Sequence, residues 1–270
     1  MIQLLSKQIA GKGLPLGLIT GAILVALGQD VVAQDNIAIA SSLVQVEQIG
    51  QANLALVTVA EQNVVTANQN GQNNTLVLSV DGQNNGINQS PLNIEQSGQG
   101  NRALVTITGD ENDLVITQNS DGAINDVVVN QDGQFNSASI TQDATGLFDG
   151  LANQAELNQI GQNNFANITQ TAFASGTTLF NNDVLINQTG NDNIANSTQS
   201  GVNNRSEQEQ VGDRNQSEII QTGNDNVAVH RQFGNDLTVP SDLGGLVIEQ
   251  TGGATILVEQ YSADFAPLPQ

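Results

Sequence analysis

A chain of 270 residues with no Cys, no Trp, one His, one Tyr and 3% aromatic side chains has neither a disulfide framework nor the aromatic content of an ordinary enzyme core. The formal net charge of −21 argues against nucleic acid as a partner and disfavours an anionic membrane surface. With a single His and Lys only at positions 7 and 12, no Ser-His-Asp set, metal triad or phosphate loop can be assembled, so neither catalysis nor a cofactor is expected.

Residues 1–33 read as a secretory signal peptide. Lys7 and Lys12 precede an apolar run from Leu14 to Leu27, and Val31-Val32-Ala33 supplies small residues before a cleavage site after Ala33. The run is too short for the ~20 residues that span a bilayer, so a membrane anchor is the weaker reading and insertion is not expected. Residues 34–41 form a short N-terminal segment, an export-recognition tail or a cap.

From residue 42 to 260 the chain repeats. The register is plainest at 188–234, where Gln188, Gln199, Gln210, Gln221 and Gln232 recur every 11 residues. Two residues after each Gln stands a Gly (Gly190, Gly201, Gly212, Gly223, Gly234), and three residues later an Asn (Asn193, Asn204, Asn215, Asn226). Further units begin at Gln48, Gln69, Gln96, Gln131, Gln159 and Gln250. They carry Gly50, Gly71, Gly98, Gly133, Gly161 and Gly252, and all but the last carry the Asn (Asn53, Asn74, Asn101, Asn136, Asn164). Degenerate units replace Gln by Val59, Val80 or Ile107, the last keeping Gly109 and Asn112, while Gln118, Gln142 and Gln170 open units with altered turns. The count is about seventeen half-coils, or roughly eight coils.

An 11-residue period also suits a right-handed helical coiled coil. Gly in every unit, at ~1 kcal/mol per helix-interior position, rules that out. Seven residues of strand and four of turn fit instead: in Asn193–Gln199 one face carries Asn193, Ala195, Ser197 and Gln199, and the turn is Ser200-Gly201-Val202-Asn203. Two such units make a coil of about 22 residues, and stacked coils make an all-β solenoid with cross-β ladders.

Alternation holds along the array. Inward columns read Asn53-Ala55-Val57-Val59, Asn101-Ala103-Val105-Ile107 and Asn164-Ala166-Ile168-Gln170, while Arg102, Thr106, Asp113, Glu156, Glu207 and Glu218 point outward. A slip of one residue would bury those charges. Extra residues follow Val80, Gln118, Gln142, Gln170 and Gln232, in turns, with Pro91 and Pro240 in or beside them. Residues 261–270 lose the pattern and read as a tail, with Pro267 and Pro269 to discourage stacking.

Buried Gln and Asn need partners, since an unpaired buried amide costs ~1–3 kcal/mol. Coils ~4.8 Å apart place each amide over its equivalent, so each can donate to one neighbour and accept from the other. These amides are the expected structural ladders, and the glycines are the expected turn residues.

The segment SPLNIEQSGQGNRA, Ser90 to Ala103, resembles the curlin repeat of bacterial curli subunits, and SLVQVEQIGQANLA and the units at Gln159 and Gln188 fit similarly. The resemblance implies a solenoid with two strands per coil, secretion across a Gram-negative envelope through an outer-membrane channel, and assembly into functional amyloid fibres of biofilm matrix, alone or with a second curlin-type subunit. Polymerisation also follows from physics, because an uncapped solenoid ends in unpaired strand edges. Eight coils at ~4.8 Å would add about 40 Å of fibre per protomer.

Four side-issues complete the reading. Asp192, Asp213, Asp225 and Asp236 lack the glycine-rich nonapeptide of calcium-binding solenoids and read as solubilising turn charges. His230 holds an inward position near Gln208 and Ser217, a polar core site that acid would disturb. Arg102, Arg205, Arg214 and Arg231 read as scattered relief of the acidic surface. Thr58, Thr106, Thr117, Thr141, Thr169 and Thr198 share one outward position, interrupted by Glu209, Ile220 and Arg231. They keep alive a rival function, a monomeric secreted adhesin or ice-binding solenoid.

Overall fold

The computed structural model describes residues 22–26, 32–33, 42–60, 62–86, 91–146, 150–174, 181–237 and 246–262. The odd-numbered strands are β1 (Ala22–Ala26), β3 (Leu43–Gln51), β5 (Val64–Gln72), β7 (Leu92–Gln99), β9 (Asp113–Asp121), β11 (Ser137–Gly146), β13 (Phe165–Ala174), β15 (Ile194–Val202), β17 (Gln216–Asn224) and β19 (Leu246–Thr251). The even-numbered ones are β2 (Val32–Ala33), β4 (Leu54–Val59), β6 (Thr75–Asp81), β8 (Arg102–Thr108), β10 (Ile124–Gln134), β12 (Leu151–Gln162), β14 (Asn182–Asn191), β16 (Arg205–Val211), β18 (Val227–Phe233) and β20 (Thr255–Tyr261). Odd strands build one ten-stranded sheet in sequence order, here sheet A, and even strands build a second, sheet B. Every pairing is parallel, so the chain is an all-β solenoid of two-strand coils.

Two details depart from the sequence reading. Counting Gln-to-Gly units gives seventeen half-coils, whereas β3 to β20 are eighteen strands and nine coils. The additional strand, β20, carries Gln260 at the ladder position, and no Gly follows it in the sequence. The four-residue turn holds at some bends and is too long at others. Four residues separate β4 from β5, β8 from β9 and β16 from β17. Between β3 and β4 or β15 and β16, pairing continues through the glycine, with Gly50 on Gly71 and Gly201 on Gly223, and only two residues lie outside the ladder. The chain bends there because Gly is followed two residues on by a left-handed residue: Gly201 has φ 123° and Asn203 φ 58°. Asn and Asp tolerate that conformation best and hold most such positions, but Ala52, Gln62, Glu111, Phe135 and Arg214 adopt it too.

The dry interior is thin. Val, Leu, Ile and Ala from both sheets form one cluster from Val44 to Ala195, and a second holds Ile219, Ala228 and Ile248 with Leu246, Ile256 and Val258 against it. Between them Ser197, Ser206, Gln208, Ser217 and His230 are all buried. Ala123, Ala144, Ala152 and Ala172 make a separate cluster where the insertions of three successive coils lie over one another.

Within residues 1–33, the stretch read from the sequence as a leader, the structure places β1 and β2. β1 pairs with β3, placing Ala26 opposite Gln48, and Val32-Ala33 pair with Leu54-Ala55. The rest of the leader, Ser90, residues 34–41 and the tail beyond Ser262 lie outside the described residues. No helix among the described residues is long and apolar enough to cross a membrane.

Candidate functional site: the amide ladders and the solenoid ends

In sheet A one inward position of each strand from β3 to β19 is Gln. Gln48 Nε2 donates to Gln69 Oε1 at 2.5 Å, and the chain of donations continues through Gln96, Gln118, Gln142, Gln170, Gln199 and Gln221 to Gln250 at 2.7 to 3.0 Å. Every step runs toward the C-terminal coil. Each Nε2 from Gln69 onward also donates to a carbonyl of the facing strand, as Gln199 does to Asp183 O at 2.9 Å, so the amides tie sheet to sheet as well as coil to coil.

Sheet B differs. Its equivalent column reads Val59, Val80, Ile107, then Gln131, Gln159, Gln188, Gln210, Gln232 and Gln260. The donations begin only at Gln131, whose Oε1 is buried over Ile107 and has no partner. An amide above an aliphatic neighbour keeps an empty acceptor.

Asn ladders line both bends. Entering sheet B, Asn53, Asn74, Asn101, Asn125, Asn153, Asn182, Asn204 and Asn226 are linked Nδ2 to Oδ1 at 2.9 to 3.2 Å, each donating toward the N-terminal coil. Entering sheet A, Asn63, Asn85, Asn112, Asn136, Asn164, Asn193 and Asn215 form the second column, all buried. Their Nδ2 groups also reach the glycine carbonyls of the next coil: Asn164 to Gly190 O is 2.9 Å and Asn204 to Gly223 O is 2.8 Å. Both columns stop at the C-terminal coil. Ala254 and Leu237 stand in their places, offering only backbone N–H groups to Asn226 and Asn215.

Asn63, Asn125 and Asn153 were not legible from the repeat, whereas Asn182 heads the inward alternation Asn182-Val184-Ile186-Gln188 that the sequence shows. The spacing of five residues from the Gln position to Asn contracts by one between Val59 and Asn63 and widens to 7 and 11 before the other two. Their one sequence signal is an Asn two residues before the next inward small or aliphatic position.

The turn glycines all have positive φ, from 70° at Gly252 to 132° at Gly71. Stacking adds a second demand: a Cβ on Gly161 would lie 2.0 Å from Gly190 O. At Gly252, on the terminal coil, nothing lies within 4 Å of that position.

The outer faces are not equivalent. Thr117, Thr141, Thr169 and Thr198 form one unbroken column on sheet A, but Thr58 and Thr106 belong to sheet B. Equal positions in the repeat fall alternately on opposite sheets, so the six threonines do not make one face. Sheet B carries Leu56, Val77, Leu104 and Val128 in a half-buried column, and all the strand arginines. Arg102 faces Asp126 at 3.5 Å, while Arg231 reaches Glu207 at 2.9 Å and Glu209 and Glu259 at 3.4 Å. Burial pushes the Asp126 and Asp183 carboxyls up, against the pull of Arg102 and Arg205; burial pushes Glu207 up as well, but the hydrogen bonds and charges of Arg231 and Arg205 together bring it down. In the bend, Arg214 clasps Asp236 through two bonds of 2.6 and 2.8 Å. Asp192, Asp213 and Asp225 sit in these bends, and Asp213 Oδ1 accepts from the Asn191 N–H at 2.8 Å. Among the described residues no three His, Asp or Glu side chains are grouped to hold a metal ion.

Comparison with known proteins agrees with this geometry. Residues 91–119, spanning β7, β8 and the start of β9, match the family model described as Curlin associated repeat. No curated protein matches the chain, and no solved structure does. The matched segment holds Gln96, Gly98, Asn101, Gly109, Asn112 and Gln118, residues of both amide columns and both bends. Over residues 91–119 the chain is thus similar to the Curlin associated repeat.

Proposed function

We propose that this chain is a structural subunit of a curli-like functional amyloid fibre outside a Gram-negative cell, serving biofilm matrix, adhesion and aggregation. It polymerises with copies of itself, or with a second curlin-type subunit, after export through an outer-membrane channel and removal of residues 1–33. The observation that carries the reading is the pair of parallel, in-register sheets that end at β19 and β20, the last strands of each sheet among the described residues. The N–H and C=O groups along an open edge of this kind pair with a further strand when one is supplied. The acidic surface keeps the protomer soluble until then.

Electron microscopy and fibre diffraction of the exported chain test this. Unbranched fibres with meridional spacing near ~4.8 Å and an equatorial spacing near ~10 Å are expected. A chain that stays monomeric for days and gives no amyloid-dye response would sink the reading. It would then favour the rival, a monomeric surface-binding solenoid, for which the column Thr117-Thr141-Thr169-Thr198 is the supporting feature.

A further inference from the structure

The two ends of the solenoid are not alike. On the coil of β3 and β4, Val44, Val46, Val57 and Val59 are 2%, 5%, 6% and 2% exposed, whereas on the last coil Ile248 is buried and Leu246, Ile256 and Val258 are only partly so. Over the first of these coils lie β1 and β2, both from the stretch read as a leader. β1 sets Ala22 opposite Val44, Leu24 opposite Val46 and Ala26 opposite Gln48, and β2 sets Val32 and Ala33 opposite Leu54 and Ala55. Together they make a partial coil in the same parallel register that the solenoid repeats from coil to coil. It pairs with five of the nine residues of β3 and two of the six of β4. Among the described residues nothing of this kind covers β19 or β20.

We propose that residues 22–33 are an intramolecular cap: while they remain attached the N-terminal edge is closed to a second copy, and cleavage after Ala33 opens it. The inference rests on the fibre reading and adds how assembly at that edge is controlled. A strand edge takes one partner, and a strand of the same chain is present at a far higher effective concentration than any second copy. The same geometry makes the cap releasable. Once the chain is cut after Ala33, only the five paired residues of β1 and the two of β2 are left to hold a separate peptide. Ala26, which has no side-chain donor, stands at the ladder position, and Gln48 Oε1 is buried there without a partner. Within the solenoid a Gln at that place fills the acceptor of the next coil, as Gln48 does for Gln69. The cap therefore closes the edge without completing its ladder. It also closes one edge only. An uncleaved chain still presents β19 and β20, so it can end a fibre without extending it.

Hydrogen exchange on freshly dissolved monomer tests the cap without fibres. The alternate amides of Leu43 to Gln48 that face β1 should exchange ~10-fold or more slowly in the 1–270 chain than in the 34–270 chain. Ile23→Pro/Leu24→Pro in the 1–270 chain should return them to the faster rate, because two adjacent prolines remove a ladder donor whichever way the strand faces. Equal exchange in the 1–270 and 34–270 chains, or protection that survives the prolines, would overturn the cap. Assembly supplies the second measurement. Added as a minor fraction to seeded growth of the 34–270 chain, the 1–270 chain should stop extension at one of the two fibre ends, followed with two-colour labelling, and its proline variant should stop neither. Continued growth at both ends in the presence of the 1–270 chain would overturn the control of assembly. Absence of fibres from the 34–270 chain would instead remove the fibre reading, and the exchange result would still decide the cap.

Discussion

Ser217 Oγ and His230 Nδ1 lie 2.6 Å apart across the core, one from each sheet, in the polar layer that separates the two apolar clusters. The other ring nitrogen, Nε2, faces Gln260 Oε1 at 3.0 Å. That oxygen already accepts from Gln232 Nε2, so Nε2 carries the proton and Nδ1 accepts from the Ser217 hydroxyl.

Burial pushes the His230 imidazole below its ordinary range, with the Gln260 bond opposing. The inward neighbours Ser206, Gln208, Gln210, Ser217, Ile219, Gln221, Leu246, Ile248, Gln250, Ile256, Val258 and Gln260 are uncharged, and Glu207, Glu209, Glu218, Glu249, Arg231 and Glu259 point outward. The unfolded chain therefore takes up a proton below pH ~6.5 that the folded chain refuses, and stability falls as pH drops through that value, by at most ~1.4 kcal/mol per pH unit. Urea unfolding between pH 7.5 and 5.5 should show this slope, and His230→Val should flatten it. An unchanged slope in the variant would show that other groups cause it.

Gln170 and Gln131 should respond differently to the same substitution. Gln170→Leu leaves Gln142 Nε2 and Gln199 Oε1 without ladder partners in a dry column, a loss of about 2–4 kcal/mol. Gln131→Leu extends an aliphatic column and removes an oxygen that is already unpaired, so about half that loss is expected. Equal losses by chemical denaturation would mean that the column position, not the hydrogen bonding, sets the stability.

Gly161→Ala should be among the most damaging small substitutions in the chain. Its Cβ would meet Gly190 O at 2.0 Å and Gly190 C at 2.9 Å, both backbone, so two coils must separate. A loss above about 3 kcal/mol is expected, against about 1–2 kcal/mol for Gly253→Ala, where only the left-handed backbone is strained. Thermal melts that place the two variants together would contradict the stacking argument.

Asp183 should be a net liability at neutral pH. It is half-buried on the outer face of sheet B, and burial with the charges of Glu156 and Glu207 raises its carboxyl more than Arg205 lowers it. A raised folded-state value means that the destabilisation is complete above that value and fades as pH falls toward the unfolded value. Asp183→Asn should therefore stabilise the protein at pH 7 by a few tenths of a kcal/mol, allowing for solvent screening, and by nothing near pH 3. A destabilised variant at pH 7 would show that the Arg205 pairing dominates.

The 11-residue period, the two-residue alternation and the glycine in each unit together require two-strand coils and fix which side chains face inward, because those are local properties of an extended chain. Ala103, Val105 and Ile107 could be placed inside from their spacing alone. Vertical neighbours could not be placed so directly. A ladder partner lies 21 to 29 residues away, and insertions of differing length separate the units, so stacking alone brings Asn125, Asn153 and Asn182 into one column. Stacking likewise divides the threonines between two sheets, strands Gln131 Oε1 above Ile107, and turns a flexible glycine into one that tolerates no Cβ. The sequence by itself determined the coil and its faces. Only the tertiary structure decided what lies above and below each residue, because that choice is made by hydrogen bonds between coils and not by any preference within one.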